Sequence, residues 1–495
     1  MQGIQGFIFQ TNKLKEIAGA SELVEQICTD QFEPLVGDFK KENAIVTAAG
    51  NIKYVFDDEQ QCRDFVRIFP KKVMEFAPGV TISQAVVKIS GNEINKGDIE
   101  ELEKRLKAQR NKLFRPFDIG LMAVNRSRRT GLPAKKEEEE DGELTAIDYG
   151  THAKVGDYRE RRKRIIESFF GTIDSKRIPW NIESITGTKG RSYGWLAVIH
   201  VDGNNMGLKM QEMSDEIEHS GTGQYGEKFR EFSLRLDEAT KKAAQHAYRE
   251  TTKTEKSDVE PCRPIVIGGD DLTIVIRADL ALEFTKNFLA NFENETKDRL
   301  SRLGVKALQK GLTACAGIAY VKENYPFHYG YQLAETLCGE AKKRAKENLG
   351  DGELTPSCLM FHKVQDSFVE DYNDIREREL HAGAIWFDVG PYYLEHKLKP
   401  TISRLQQCVA QLLDKEGNAV KSHLRQWLTD LYNPNGLADQ KMDRFISHGS
   451  TNQITKKKIR ELGLPGVARK NGKSPVYDWL SICSIAEGSI TKGGE

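Results

Sequence analysis

Short, densely apolar runs alternate along this chain with longer stretches in which apolar residues recur every three or four positions, the signatures of strands and of amphipathic helices. The run Gly3 to Phe9 predicts an opening strand, and the spacing from Lys13 to Cys28 predicts a helix. Two β-branched runs, Ala44-Ile45-Val46-Thr47 and Ile52-Lys53-Tyr54-Val55-Phe56, flank Ala48-Ala49-Gly50-Asn51, a hairpin with Gly-Asn turn chemistry. A helix over 59–74 and a strand from Val80 to Ile89 complete the order βαββαβ, the split-βαβ or ferredoxin-like arrangement.

The same order returns with longer connections. It predicts a strand from Trp195 to Val201, helices to about Arg249, a strand from Pro264 to Ile267, the turn Gly268-Gly269-Asp270-Asp271, a strand from Leu272 to Ile276, a helix from Leu280 to Glu295 and a strand from Leu312 to Val321. The hairpins AIVT-AAGN-IKYVF and PIVI-GGDD-LTIVI, each with matching flanks, indicate an internal duplication. Between the copies, Lys135 to Glu143 is a charge run without periodicity, read as a mobile solvated loop. The basic stretch Tyr158 to Phe170 reads as a solvated helix face or as an RNA or subunit contact. Beyond Asp371 the pattern is helical, clearest at Ile402 to Leu413 and Ala419 to Leu431. It ends in a basic stretch of Lys456, Lys457, Lys458, Arg460, Arg469, Lys470 and Lys473.

The 495 residues hold three or four compact units at roughly 100 to 200 residues each. The expected fold is α+β: a degenerate first ferredoxin-like domain at 1–95, a linker domain at 96–190, a second ferredoxin-like domain with GGDD at 191–370, and a helical C-terminal domain at 371–495. Lys plus Arg and Asp plus Glu both count 73, so net charge gives no argument for nucleic-acid binding and any basic surface must be local. A hydrophobic content of 39% without an apolar run of about 18 residues excludes disordered and membrane-spanning classes and predicts a soluble protein. The start, MQGIQGFIF, lacks a basic segment and a cleavage site, so the expected location is the cytoplasm. Eight cysteines without a C-x-x-C pair support neither a zinc ribbon nor a disulfide framework and read as reduced, packed thiols.

Candidate chemistry centres on Gly268-Gly269-Asp270-Asp271. Gly and Asp are ordinary turn residues, yet adjacent carboxylates at a tight turn repel each other, and a divalent cation such as Mg²⁺ or Mn²⁺ gives them a reason to be there. In a βαββαβ sheet the first two strands run parallel, so Asp202, where the apolar run Leu196 to Val201 ends, falls at the same sheet edge and strengthens the metal reading. Gly203 and Gly207, in the run Asp202-Gly203-Asn204-Asn205-Met206-Gly207, let backbone amides at a helix start approach phosphate oxygens. Two ions about 3.5–4 Å apart serve in-line displacement at phosphorus, which is nucleotidyl transfer from a triphosphate such as ATP. Lys342 and Lys343, on the helix after the fourth strand, are candidates for triphosphate oxygens or plain solvated residues. The first copy has Gly50 and Asn51 where the second has Asp270 and Asp271, so it holds no metal, and its job is architectural or completes a nucleotide pocket.

These residues resemble the large palm-domain subunit of type III CRISPR interference complexes, the Cas-ten family. The likeness rests on GIQGFIFQTNKLKEIAGASEL (Gly3 to Leu23), VDGNNMG (Val201 to Gly207) and IGGDD (Ile267 to Asp271), and more weakly on TGLPA (Thr130 to Ala134), AETLCGEAKK (Ala334 to Lys343) and GPYYLEHKL (Gly390 to Leu398). The resemblance implies two palm domains and synthesis of cyclic oligoadenylates from ATP with two Mg²⁺ or Mn²⁺ ions. It implies other subunits of an RNA-guided complex, guide RNA and target RNA as partners, and no membrane. Asp202, Asp270 and Asp271 would be the metal ligands and catalytic residues; Gly203, Asn204, Gly207, Gly268, Gly269 and Lys342 would face the nucleotide. Members usually have Asp at the position of Asn204, which questions one metal site. No His-Asp nuclease pair occurs, so no DNase activity is expected, and Asn125 and Arg128 stand where zinc-binding cysteines are often found. Two other readings stay open: a catalytically silent scaffold binding RNA and subunits, and a stand-alone palm cyclase making a cyclic mono- or dinucleotide. Ser21 and Glu22 are candidates for an adenine pocket, with helix packing the plainer role.

Overall fold

The apolar residues of the opening segment fall at Ile4, Phe7 and Ile8, the spacing of one helical face, and Ile4–Ile8 forms helix α1 where a strand was expected. In the computed structural model, which describes residues 1, 3–48, 50–89, 91, 94–112, 122–140, 142–156, 164–188, 191–192, 194–220, 224–255, 257–347, 349, 353–366, 371–394, 400–433, 437–448, 453–464 and 472–490, α1 is followed by the predicted helix α2 (Leu14–Cys28). The predicted hairpin is present as β1 (Ala44–Ala48) and β2 (Asn51–Tyr54), antiparallel with a bulge between Ala44 and Val46. Helix α3 (Glu59–Phe76) begins on an Asp58 side-chain cap. The strand expected at Val80 to Ile89 is absent, with only Thr81 in an isolated bridge. An extended run becomes a strand when a neighbour supplies ladder partners, and the 3–9 segment, being helical, supplies none. Side chains tie it down instead: Gln84 of the run donates to the Val66 carbonyl of α3 at 3.0 Å, and Arg105 of α4 (Lys96–Arg110) donates to the Val86 carbonyl of the run at 2.9 Å.

The charge run read as a loop is a hairpin, β3 (Ala134–Glu140) with β4 (Glu143–Asp148). Glu137, Glu138 and Glu139 stand opposite Ala146, Thr145 and Leu144, so like charges meet only at the Glu140–Glu143 pair beside the turn, where Gly142 has φ 83°. Of the basic stretch, residues 158–163 lie outside the described residues; Arg164 opens α5 (Arg164–Phe170) and pairs with Asp30 at 2.5 Å.

The second half is built on one six-stranded sheet. Its elements are β5 (Trp195–Gly203), α6 (Met206–Ser220), α7 (Tyr225–Thr251), β6 (Cys262–Gly268), β7 (Asp271–Arg277), α8 (Ala278–Ser301), β8 (Ala314–Lys322), α9 (Phe327–Glu347), β9 (Cys358–Lys363) and β10 (Tyr392–Tyr393). The strand order is β10-β9-β8-β5-β7-β6, with β5 antiparallel to both β7 and β8, and β8 parallel to β9. The inner four strands carry the predicted ferredoxin-like order; β9 and β10 extend it and were not anticipated. Continuous apolar sequence in β5, β7 and β8 matches burial on both faces.

The C-terminal region is helical as expected: α10 (Ile402–Leu413), α11 (Asn418–Leu431), α12 (Ala438–His448), α13 (Gln453–Leu462) and α14 (Val476–Ile490), the last lying against α8 and α10. Lys458 of the basic tail is buried in an ion pair with Asp414, and Lys457 reaches Glu461 at 3.8 Å; Arg469 and Lys470 lie outside the described residues, as do 395–398 of GPYYLEHKL. All eight cysteines are free. Among the described residues no helix is long and apolar enough to cross a membrane.

The N-terminal half packs along β6 and α9. Ser21 donates to the Ile265 carbonyl, Glu22 accepts from the Ile165 amide at 3.1 Å, Phe9 stacks on Tyr331 at 3.8 Å, and Gln5 donates to Glu335 at 3.0 Å. Ser21 and Glu22 are therefore packing residues buried between the halves, and burial raises the Glu22 carboxyl to about 7.

Candidate active site

Because β5 runs antiparallel to β7 with Val201 opposite Leu272, the end of β5 lies beside the β6–β7 turn. The three carboxylates expected to converge do so: Asp202, Asp270 and Asp271 each offer an oxygen within 4.8 Å of the others. The turn is tight, with Gly268 paired to Asp271 across a two-residue loop and Gly269 at φ 61°, a conformation that L side chains rarely adopt. Close approach fixes Gly203 too, since a Cβ there would lie 2.8 Å from both Cβ and Oδ2 of Asp270.

Crowding and partial burial set the charge of this cluster. Burial, then the charges of Asp270 and Asp202, push the Asp271 carboxyl up to about 8; burial and Asp202 raise Asp270 to about 6. Near neutral pH the three carboxylates by themselves therefore retain a proton. Lys342 of α9 already brings one positive charge, donating to Asp202 and, at 2.8 Å, to the Gly203 carbonyl. Hard oxygen ligands that repel one another and hold protons more tightly than usual fit a divalent cation, which relieves the repulsion. Behind the carboxylates, burial lowers His200 to about 4 and keeps it neutral, with Nδ1 3.1 Å from the Thr273 hydroxyl.

Not every predicted residue joins the cluster. Asn204 is turned inward: its Nδ2 donates to Thr313 Oγ1 at 3.1 Å and to the Thr355 carbonyl at 3.4 Å, and its backbone amide to the Thr313 carbonyl at 2.8 Å. These bonds join the β5 end to the segments before β8 and β9. Asn205 at φ 56° turns the chain into α6, and Gly207 is exposed in the first helical turn with open space above it. Lys343 points elsewhere, exposed and 3.6 Å from Glu340.

Two residues that carried no motif also touch the turn. Thr240 of α7 donates to the Gly269 carbonyl at 2.5 Å, and Asp237 accepts from the Gly269 amide at 3.4 Å. In the sequence they read only as polar positions of a long amphipathic helix. Glu335, whose charge bears on Asp271, was hidden in the same way.

An inner sheet in which the first strand sits between the third and fourth, with carboxylates gathered at the central strand end and the hairpin turn, defines a palm-type domain. The family model of the Cas10/Cmr2 second palm domain matches residues 195–350, so the chain carries a Cas10-like palm there. No curated protein matches the chain. Among solved structures, the fold is similar to a Csm1–Csm4 cassette in complex with pppApApA (15% identity, 99% of this chain and 68% of that one covered, TM-score 0.55). Csm1–Csm4 cassettes with AMPPNP (14%, 99% and 68%, TM-score 0.52) and with one ATP (13%, 99% and 69%, TM-score 0.51) are similar too.

Proposed function

We propose that this chain is the nucleotidyl-transferring subunit of a type III CRISPR interference complex, joining ATP into cyclic oligoadenylates and working beside other subunits, guide RNA and target RNA. The observation that carries the reading is the meeting of Asp202, Asp270 and Asp271 at one sheet edge of a domain matched by the Cas10/Cmr2 second palm model. The similar Csm1–Csm4 cassettes, described with AMPPNP and with ATP, support a nucleotide as the occupant. The division into a first palm (1–95), linker (96–190), second palm (191–370) and helical C-terminal domain (371–495) belongs to this proposal.

Asp202, Asp270 and Asp271 would hold Mg²⁺ or Mn²⁺. When bound, such ions neutralise triphosphate charge and favour the ionised attacking hydroxyl. The residues of the chain do the rest. Asp270 and Asp271 release their retained proton on loading, and Gly203 leaves room for Asp270 beside the β5 end. Lys342 has triphosphate oxygens within the reach of its ammonium once Asp202 is engaged elsewhere, and Gly207 leaves the α6 N-terminal turn open to phosphate. Gly268 and Gly269 shape the turn. No protein nucleophile is needed, because positioning and charge stabilisation supply the catalysis.

The test is incubation of the purified chain, alone and in its assembled complex, with ATP and Mn²⁺, with products read by mass spectrometry. Cyclic oligoadenylates that vanish in an Asp270→Asn, Asp271→Asn double variant are expected, with a rate that responds to complementary RNA. Equal turnover in the double variant refutes the assignment.

A further inference from the structure

The metal-ligand turn is held from behind by a helix face. Asp237 and Thr240 lie three residues apart on α7, so both point to one side of it, and both contact Gly269. The Gly269 amide belongs to the peptide linking it to Gly268, and the Gly269 carbonyl belongs to the peptide linking it to Asp270. Holding both groups fixes the planes on either side of the one residue in the turn that lacks a Cβ and has a positive φ.

The peptide between Gly269 and Asp270 is the central unit of a two-residue turn, whose rotation converts one turn type into another and swings the side chain that follows. Thr240 is fully buried and donates to that peptide's oxygen at 2.5 Å. Asp237 is pinned in turn: Lys241 donates to its Oδ2 at 2.6 Å, leaving Oδ1 for the Gly269 amide. Oδ1 also lies 3.2 Å from where a Gly268 Cβ would stand, so helix and turn are in direct contact.

We infer that Asp237 and Thr240 are positioning residues that clamp the Gly269 peptides and thereby aim Asp270 and Asp271 at a common divalent cation. The inference rests on the reading of the triad as a cation site and adds the device that keeps mutually repelling carboxylates converged. The clamp holds the central peptide in the orientation in which both carboxylates meet Asp202.

The test is Mn²⁺ binding to the full-length protein, measured by electron paramagnetic resonance of free Mn²⁺, so that the readout does not depend on turnover. Thr240→Val keeps the volume and removes the hydroxyl; Thr240→Ser restores it; Asp237→Ala removes the second contact. Thr240→Val is expected to weaken Mn²⁺ binding about tenfold, the size of one well-formed hydrogen bond converted to affinity, and Asp237→Ala, which removes the longer 3.4 Å contact, by less. Thr240→Ser should stay within about twofold of wild type by the same conversion, since it keeps the donor. In ATP turnover the loss should show as a higher Mn²⁺ requirement, with kcat at saturating Mn²⁺ largely retained. Unchanged Mn²⁺ affinity in Thr240→Val overturns the inference even if Asp237→Ala fails to fold, and so does a wild-type protein that takes up no Mn²⁺. A wild type that binds Mn²⁺ tightly, loses it in Thr240→Val and never turns over ATP sustains the clamp while defeating the proposed reaction.

Discussion

Metal binding should be coupled to proton release with a pH dependence set by the triad. Asp271, at about 8, is ionised in only about one molecule in ten at pH 7, and Asp270, at about 6, in about nine in ten. If the cation needs both ionised, its apparent affinity at pH 7 is about tenfold below its high-pH limit. At pH 6 the same arithmetic gives about one part in a hundred for Asp271 and about one half for Asp270, a loss of about 200-fold. Isothermal titration with Mn²⁺ at pH 6, 7 and 8.5, in buffers of differing ionisation enthalpy, reads both the affinity and the protons released. About one proton per site should leave at pH 7 and about a quarter of one at pH 8.5. The stability of the empty protein carries the opposite sign. Both carboxyls are raised in the folded state, so folding takes up protons between their ordinary values near 4 and the raised ones, and stability falls as pH rises through that window. Asp271→Asn should therefore stabilise the empty protein at pH 8, on the order of 1–2 kcal/mol. An affinity flat from pH 6 to pH 8.5, without proton release, would refute the crowded, desolvated picture of the site.

Other substitutions separate the roles of neighbouring residues. Gly203→Ala forces a methyl to within 2.8 Å of Asp270 and should abolish tight Mn²⁺ binding while costing about 1–3 kcal/mol of stability, read by thermal melting beside metal titration. Asn204→Asp replaces the donor facing the Thr355 carbonyl with a buried acceptor; it should destabilise by about 1–3 kcal/mol, increasingly as pH rises and the new carboxyl ionises, without raising turnover. Lys342→Met should leave Mn²⁺ binding intact or tighter and raise the KM for ATP, since it removes the cation that pairs with Asp202. Asp388→Ala leaves Arg344 and Arg376 facing each other without their shared carboxylate, costs about 3–5 kcal/mol and should expose the segment linking α9 to the C-terminal helices to limited proteolysis.

What the sequence disclosed depended on how local each signal was. Strands β5, β6, β7 and β8 were legible within a few residues because each is a mainly apolar run ended by Gly or a charged residue, and α10 because its apolar spacing is regular. The opening run misled because Ile4, Phe7 and Ile8 satisfy a helical spacing as well as an apolar run, and five residues are too few to separate the two. That one difference carried a second with it, since residues 80–89 lost their ladder partner. The glutamate run hid a hairpin because its charges suppressed the strand pattern, although the Asp141-Gly142 dipeptide is itself a hairpin signal.

The site divides along the same line. Asp202 and the Asp270-Asp271 pair could be brought together from sequence because topology alone fixes which strand ends share an edge; no side-chain detail was needed. Asn204 could not be placed, because whether a residue one step past a strand end turns toward the edge or into the fold depends on partners at Thr313 and Thr355, more than a hundred residues away. Asp237 and Thr240 were invisible for a related reason: a polar residue on an amphipathic helix looks solvated until the turn it contacts is known. Repulsion among three acids is written in the sequence, whereas the restraint that opposes it arises only from packing α7 against the turn.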